Sequence, residues 1–275
     1  MKPSAPTPDR PEDDVEMGFF DHLAELRRRL LRALVGMIPT VAVGWAYKEQ
    51  IMQWLVAPLA LAWRRLGMGT PSLHFANPVD PFLAYLKVSL VAGLLLASPW
   101  IFWQLWAFVA PGLYRRERRL AVPFVLASTV CFAGGAIFGY VVVLPFGFET
   151  LLSFAGPLPD GAGSLQPTLM VDEYLGFAVK MLVAFGLSFE VPVVTTFLAA
   201  AGIVDWRALL RFGRWWLVAA AVLAAILTPP DVGSQLLMLG PLVGLYYLGV
   251  LLAFLIGRRV ERADAEAVEQ AGSTR

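Results

Sequence analysis

Residues 106–119 read WAFVAPGLYRRERR and lie between two long apolar runs. Four arginines, Arg115, Arg116, Arg118 and Arg119, surround a single acid, Glu117. A short loop this rich in arginine between membrane spans is held on the cytoplasmic side. A loop that only anchored helices would need the arginines and not the glutamate. The stretch therefore decides both the topology of its neighbours and the first candidate site.

Outward from this loop the chain is dominated by apolar blocks. Of its 275 residues 58% are apolar and 16% charged, and mean hydropathy is +0.65. Soluble domains run closer to 45–50% apolar and about 25% charged. The blocks approach the ~20 residues that cross a bilayer, so the expected fold is an all-α polytopic membrane protein. Six spans are expected, at about 30–46, 82–109, 120–146, 174–201, 215–227 and 236–256. The fifth is short for a full crossing at 1.5 Å per residue. Residues 1–18 read as a disordered cytoplasmic tail without the features of a cleaved signal, 19–257 as the six-span domain, and 258–275 as a second cytoplasmic tail.

Most of the remaining basic residues agree with the opening loop, while Lys48, Arg64, Arg65, Lys87 and Lys180 fall on the opposite side. Arg27, Arg28, Arg29 and Arg32 precede the first span, Arg207, Arg211 and Arg214 the fifth, and Arg258, Arg259 and Arg262 follow the sixth. Both termini are expected in the cytoplasm. On the opposite side, residues 49–63 carry Ile51, Met52, Leu55, Leu59 and Trp63 at helical spacing, with Pro58 as a break. They predict short amphipathic helices forming a cap, continued without regular structure by the Pro- and Gly-containing loop 147–171.

Four constellations carry candidate chemistry. In FDHLAELRRRL, residues 20–30, Asp21 is placed to cap the first helix, and Glu25 shares a face with Arg28, Arg29 and Arg32. Glu25 and Glu117 read either as local partners of their arginines or as two converging acceptors. The second reading suits a ligand with paired arginines, because a guanidinium–carboxylate pair is planar and directional. SFEVP, residues 188–192, buries Glu190 in the fourth span beside Pro192, which is expected to kink it. A carboxylate at that depth costs about 2.5–3.5 kcal/mol on insertion scales and is a functional candidate. It reads as a protonated structural group or as a proton relay, although no second intramembrane acid or base stands at its depth. TPPDVGSQ, residues 228–235, offers Asp231 as a helix cap, with Thr228 and Gln235 as hydrogen-bonding groups for a partner helix.

Other chemistry finds little support. His22 and His74 fall on opposite sides of the membrane, which excludes a catalytic or metal site built on both. No phosphate-binding Gly-rich loop is present. Cys131 reads as a small buried hydrophobe. No cofactor, metal, enzymatic activity or nucleic-acid partner is expected. A proton-coupled secondary transporter with Glu190 as relay is the competing class, and an intramembrane enzyme a remote third.

Taken in order, HLAELRRRL, APL at 57–59, WAFVAPGLYRRERR, FGLSFEVP from Phe185 and LTPPDVGSQ from Leu227 resemble the TatC family, the multi-span receptors of twin-arginine protein export. The resemblance covers most of the chain, from Asp21 to about Gly257. It implies six helices in a curved, glove-like arrangement with an extracytoplasmic cap, in a bacterial-type cytoplasmic membrane. It implies that Glu25 and Glu117, with Arg27 and Phe108, bind the paired arginines of signal peptides on folded cargo. It further implies that Pro58, Glu190 and Asp231 serve transport or assembly. Thr228 and Gln235 would dock the single-span subunits TatA or TatB; Ala225 stands nearby where some relatives carry a larger methionine. Self-association, contact with membrane lipids and transport driven by the proton motive force complete the expectation.

Overall fold

The computed structural model describes residues 19–109, 121–157, 163–228 and 232–273. Eight α-helices occur among these residues: α1 (Phe19–Ala46), α2 (Lys48–Arg65), α3 (Asp80–Val109), α4 (Ala121–Phe138), α5 (Leu144–Leu152), α6 (Val171–Ala200), α7 (Trp206–Leu227) and α8 (Val232–Ser273). Among the described residues, six stretches are long and apolar enough to cross a membrane: α1, α3, α4 together with α5, α6, α7, and residues 235–258 of α8. The spans form a wall in which α1 lies against α3, α3 against α4 and α6, α4 against α6, α6 against α8, and α8 against α7.

Close approach along this wall rests on small residues. A Cβ on Gly93 of α3 would come within 2.4 Å of the Val41 side chain and 2.8 Å of its Cα on α1. The Gly93 carbonyl accepts the Thr40 hydroxyl at 2.8 Å, which stitches the two backbones together. On the other side of the wall, a Cβ on Gly135 of α4 would lie 2.3 Å from the Phe185 carbonyl oxygen of α6.

The cap is more regular than the sequence predicts. Pro58 does not break its helix: α2 runs unbroken for 18 residues with Pro58 buried inside it. The missing Pro58 N–H leaves the Trp54 carbonyl without its helical donor, and the Tyr140 hydroxyl donates to it at 2.6 Å. The Tyr174 hydroxyl donates to the Leu55 carbonyl one residue on. Two tyrosines, from different spans, thus moor α2. The loop expected to be irregular contains α5 and short strands. β1 (Leu73–His74) pairs in parallel with β4 (Leu169–Met170), and β2 (Gly156–Pro157) pairs antiparallel with β3 (Ser164–Leu165).

Between α4 and α5 lies a π turn, Gly139–Val143, closed by Leu144 N–H donating to the Gly139 carbonyl. Pro145 follows at the start of α5. Its ring would collide with the carbonyl four residues back in a regular helix, and the wider turn relieves that conflict.

Two further expectations change. α7 is not short: it starts at Trp206 and has 22 residues, about 33 Å, enough for a ~30 Å hydrocarbon core. Arg207, Arg211 and Arg214 occupy its first turns and lower the local hydropathy. Asp21 is not an N-cap, because α1 begins at Phe19 and places it inside the first turn. α6 continues through Pro192 to Ala200 as one helix.

The largest buried cluster sits at the cap end, with Leu59, Leu144, Leu175, Met181 and Phe185 fully enclosed. A second, at the opposite end of α3, α4 and α6, is aromatic: the Trp106 and Phe197 rings meet edge to face at 4.3 Å, and Phe124 packs against both.

Candidate functional site

At the end opposite the cap, α1 carries Glu25 on a half-buried flank. Helical spacing brings Arg28 and Arg29 to it. Arg29 Nε donates to Glu25 Oε1 at 2.6 Å, and Arg28 approaches Oε2 at 3.5 Å. The Glu25 side chain is 18% exposed and that of Arg29 24%, whereas Arg28 is 62% exposed. Arg29 also reaches across to α3, where its Nη1 lies 3.5 Å from Oε1 of the buried Gln104. One turn nearer the start of α1, His22 stacks on Phe108 with ring centroids 4.5 Å apart. Carboxylate, guanidinium, amide and aromatic pair thus form one surface across α1 and α3.

The other residues expected here behave differently. Arg27 is exposed and holds no ion pair among the described residues, because two residues along a helix turn it away from Glu25. Arg32 likewise pairs with no acid among them; its backbone carbonyl accepts the Trp100 indole N–H at 2.9 Å. Glu117 and its four arginines lie outside the described residues, as does Asp231.

Glu190 is buried in α6, 8% exposed, and its Oε1 has no hydrogen-bond partner among the described residues. The Ser128 hydroxyl of α4 stands against its carboxyl. Ser128 is itself buried and accepts the Trp106 indole N–H at 3.3 Å. Trp106 lies two residues after Gln104 on α3. That spacing turns Gln104 toward α1 and Trp106 toward α4, so one turn of α3 touches both the Glu25 surface and the Glu190 pocket. Gln104, Trp106 and Ser128 were not singled out by sequence reasoning. Their signal was available: Gln104 stands alone in an apolar run and Ser128 sits beside Thr129 in another, and such groups need partners when buried.

At the cap end of α7 and α8 the expected polar pair is partly occupied within the fold. The Thr228 hydroxyl donates to the Ala224 carbonyl at 2.8 Å, and Gln235 Nε2 reaches the Ala221 carbonyl at 3.4 Å. Both keep acceptor oxygens for another donor. Trp215, Val218, Val222 and Ile226 form an exposed apolar ridge along α7 below them. Pro58 lies in the cap, far along the wall from Glu25, with the tyrosine moorings described above.

Comparison with known proteins agrees with this architecture. The family model described as Sec-independent protein translocase protein (TatC) matches residues 21–241. A Sec-independent protein translocase protein TatC of Desulforapulum autotrophicum is 38% identical over 251 residues, covering 91% of this chain and 89% of the relative. Its counterpart in Campylobacter jejuni is 40% identical over 231 residues, covering 84% and 91%. A crystal structure of the twin arginine translocase receptor TatC in DDM shares the fold with a TM-score of 0.73 at 33% identity, over 84% of this chain and 99% of that one. The match runs through the helix that carries Glu25, the wall and the Glu190 pocket alike: the chain belongs to the TatC family.

Proposed function

We propose that this chain is the receptor and scaffold subunit of a twin-arginine translocase, and that Glu25 and Glu117 read the paired arginines of a signal peptide. The observation that carries this is the Glu25 surface. Its carboxylate is held at the accessible end of α1 by contacts that can be exchanged. Arg29 meets one oxygen through Nε and Arg28 stands at 3.5 Å, so neither resident arginine makes the two-pronged pair a guanidinium forms best. A peptide arginine that takes over the carboxylate leaves Arg29 beside the Gln104 amide oxygen, so no buried donor is stranded. The His22–Phe108 stack offers an aromatic face next to that position.

In this reading the arginine-rich end of the wall faces the cytoplasm, both termini included, in a bacterial-type cytoplasmic membrane, and the cap lies on the far side. Glu190 acts after recognition. The α7–α8 edge, with Thr228, Gln235 and the apolar ridge, recruits single-span subunits of the TatA or TatB kind. The chain performs no bond chemistry of its own. Membership of the TatC family leaves the secondary-transporter reading without support.

Site-specific photocrosslinking in membranes tests the recognition step, with the probe at Leu113, four residues before Glu117 in sequence, and peptides carrying Arg-Arg or Lys-Lys. A crosslink with Arg-Arg that fades with Lys-Lys is expected. Equal crosslinks, or none, would overturn twin-arginine reading by this surface.

A further inference from the structure

α6 and α7 scarcely touch each other, because α8 packs behind both. The gap between them is an apolar groove of roughly 600 Å³. Its walls include Val183, Leu187 and Val191 of α6 and Leu223 of α7, and Leu242 of α8 forms its floor. The Trp216 indole N–H donates to the Leu242 carbonyl at 3.1 Å and stacks on Tyr246, which holds wall and floor together. At the cap end of this groove stands one charge, Lys180. It is exposed and has no ion-pair partner among the described residues, whereas Lys87, also on the cap side, is paired with Asp172.

Depth identifies what meets that charge. From Ala200, the last residue of α6, back to Lys180 the helix rises about 30 Å, the thickness of a bilayer's hydrocarbon core. Leu227, the last residue of α7, lines the groove as well. Lys180 therefore lies at the boundary between hydrocarbon and headgroups on the cap side, where an ammonium group meets lipid phosphate. From Val179 to Val191 the groove runs about 18 Å inward, close to the ~15 Å of one leaflet and well short of a full crossing. A membrane-spanning partner helix would need the full depth. One lipid chain needs this much.

We propose that this groove is a binding site for one phospholipid of the cap-side leaflet, with Lys180 on the phosphate and an acyl chain between α6 and α7. An anionic headgroup is favoured, because Lys180 brings a charge that no acid among the described residues neutralises. The site joins two helices that otherwise scarcely touch, so the lipid is a structural component of the α6–α7 edge.

The test uses the full-length protein in phosphatidylcholine vesicles doped with phosphatidylglycerol carrying a photoactivatable group at the end of one acyl chain. Labelling is expected at the deep end of the groove, around Leu187 and Val191, and inorganic phosphate should not displace it. Lys180→Gln is expected to reduce that labelling about tenfold, the scale of one charge-assisted contact, while Lys180→Arg retains it. Leu223→Trp, which fills the groove and leaves the lysine in place, is also expected to reduce it. Undiminished labelling in Lys180→Gln overturns the proposal, as does displacement by inorganic phosphate. So does a probe at Leu187 that crosslinks, in native membranes, to a single-span protein instead of to lipid.

Discussion

α1 and α6 are close in length, 28 and 30 residues, and each carries one carboxylate outside its first turn, Glu25 and Glu190. Their surroundings are opposite. Only 6% of the apolar stretch of α1 is buried, against 56% of that of α6. Glu25 has two arginines within 3.5 Å, whereas Glu190 has an orphaned oxygen and a serine. A carboxylate surrounded by guanidinium groups at an exposed helix end is poised for exchange with another guanidinium. One enclosed in hydrocarbon exchanges with nothing that stays in water, and it reports on the packing of its neighbours. Under the function proposed above, the same residue type serves recognition in one helix and internal rearrangement in the other, and burial decides which.

The comparison breaks most completely if recognition survives without its acids. Glu117→Ala is expected to abolish crosslinking of an Arg-Arg signal peptide at Leu113, and Glu25→Ala to reduce it at least about tenfold, ~1.4 kcal/mol. Membrane insertion should be unchanged in both. Wild-type crosslinking in either variant would remove that residue from the site. Glu190→Gln keeps the shape of the side chain and removes its charge. It is expected to lower export of folded cargo by about tenfold while signal crosslinking stays intact. A fall in crosslinking instead would move Glu190 into the recognition step.

Smaller effects sharpen the contrast. Gly93→Ala forces α1 away from α3, because the new methyl meets the Val41 backbone as well as its side chain. A loss of about 1–3 kcal/mol is expected, seen as a drop of several degrees in the detergent-solubilised Tm. An unchanged Tm would mean that α1 is not seated through Gly93. Gln104→Ala removes the secondary partner of Arg29, and its contact at 3.5 Å is weak. Peptide affinity measured by titration is expected to fall by no more than about fivefold, ~1 kcal/mol. A loss as large as that in Glu25→Ala would make Gln104 a direct contact.

The spans were legible because twenty apolar residues leave few alternatives, and α3, α6 and the spanning part of α8 appear where hydropathy places them, although α8 itself continues to Ser273. α7 was misjudged in length because Arg207, Arg211 and Arg214 interrupt its first turns without ending the helix. The cap escaped for another reason. Two-residue strands such as Leu73–His74 have no periodicity to detect, and their partner lies nearly a hundred residues away. Pro58 looked like a helix breaker, since the Tyr140 hydroxyl that satisfies the freed carbonyl is 86 residues distant. Within the site, Glu25 and its arginines were readable from i, i+3 and i+4 spacing. The Arg29–Gln104 and Trp106–Ser128 contacts cross between helices, and no local pattern encodes them.

The π turn at Gly139–Val143 has a consequence for how the third span can serve two masters. A helix advances about 100° per residue, so a turn holding one extra residue offsets the azimuth of everything beyond it by about that angle. α4 can direct Gly135 at α6 while α5, on the same continuous rod, directs Phe148 and Leu152 into the cap. The turn acts as a phase shifter between two packing faces. Excising a single residue from it, Val141 for instance, would rotate α5 out of register with α2 and return the Pro145 ring to its clash with the carbonyl four residues back, leaving the composition of the span almost untouched.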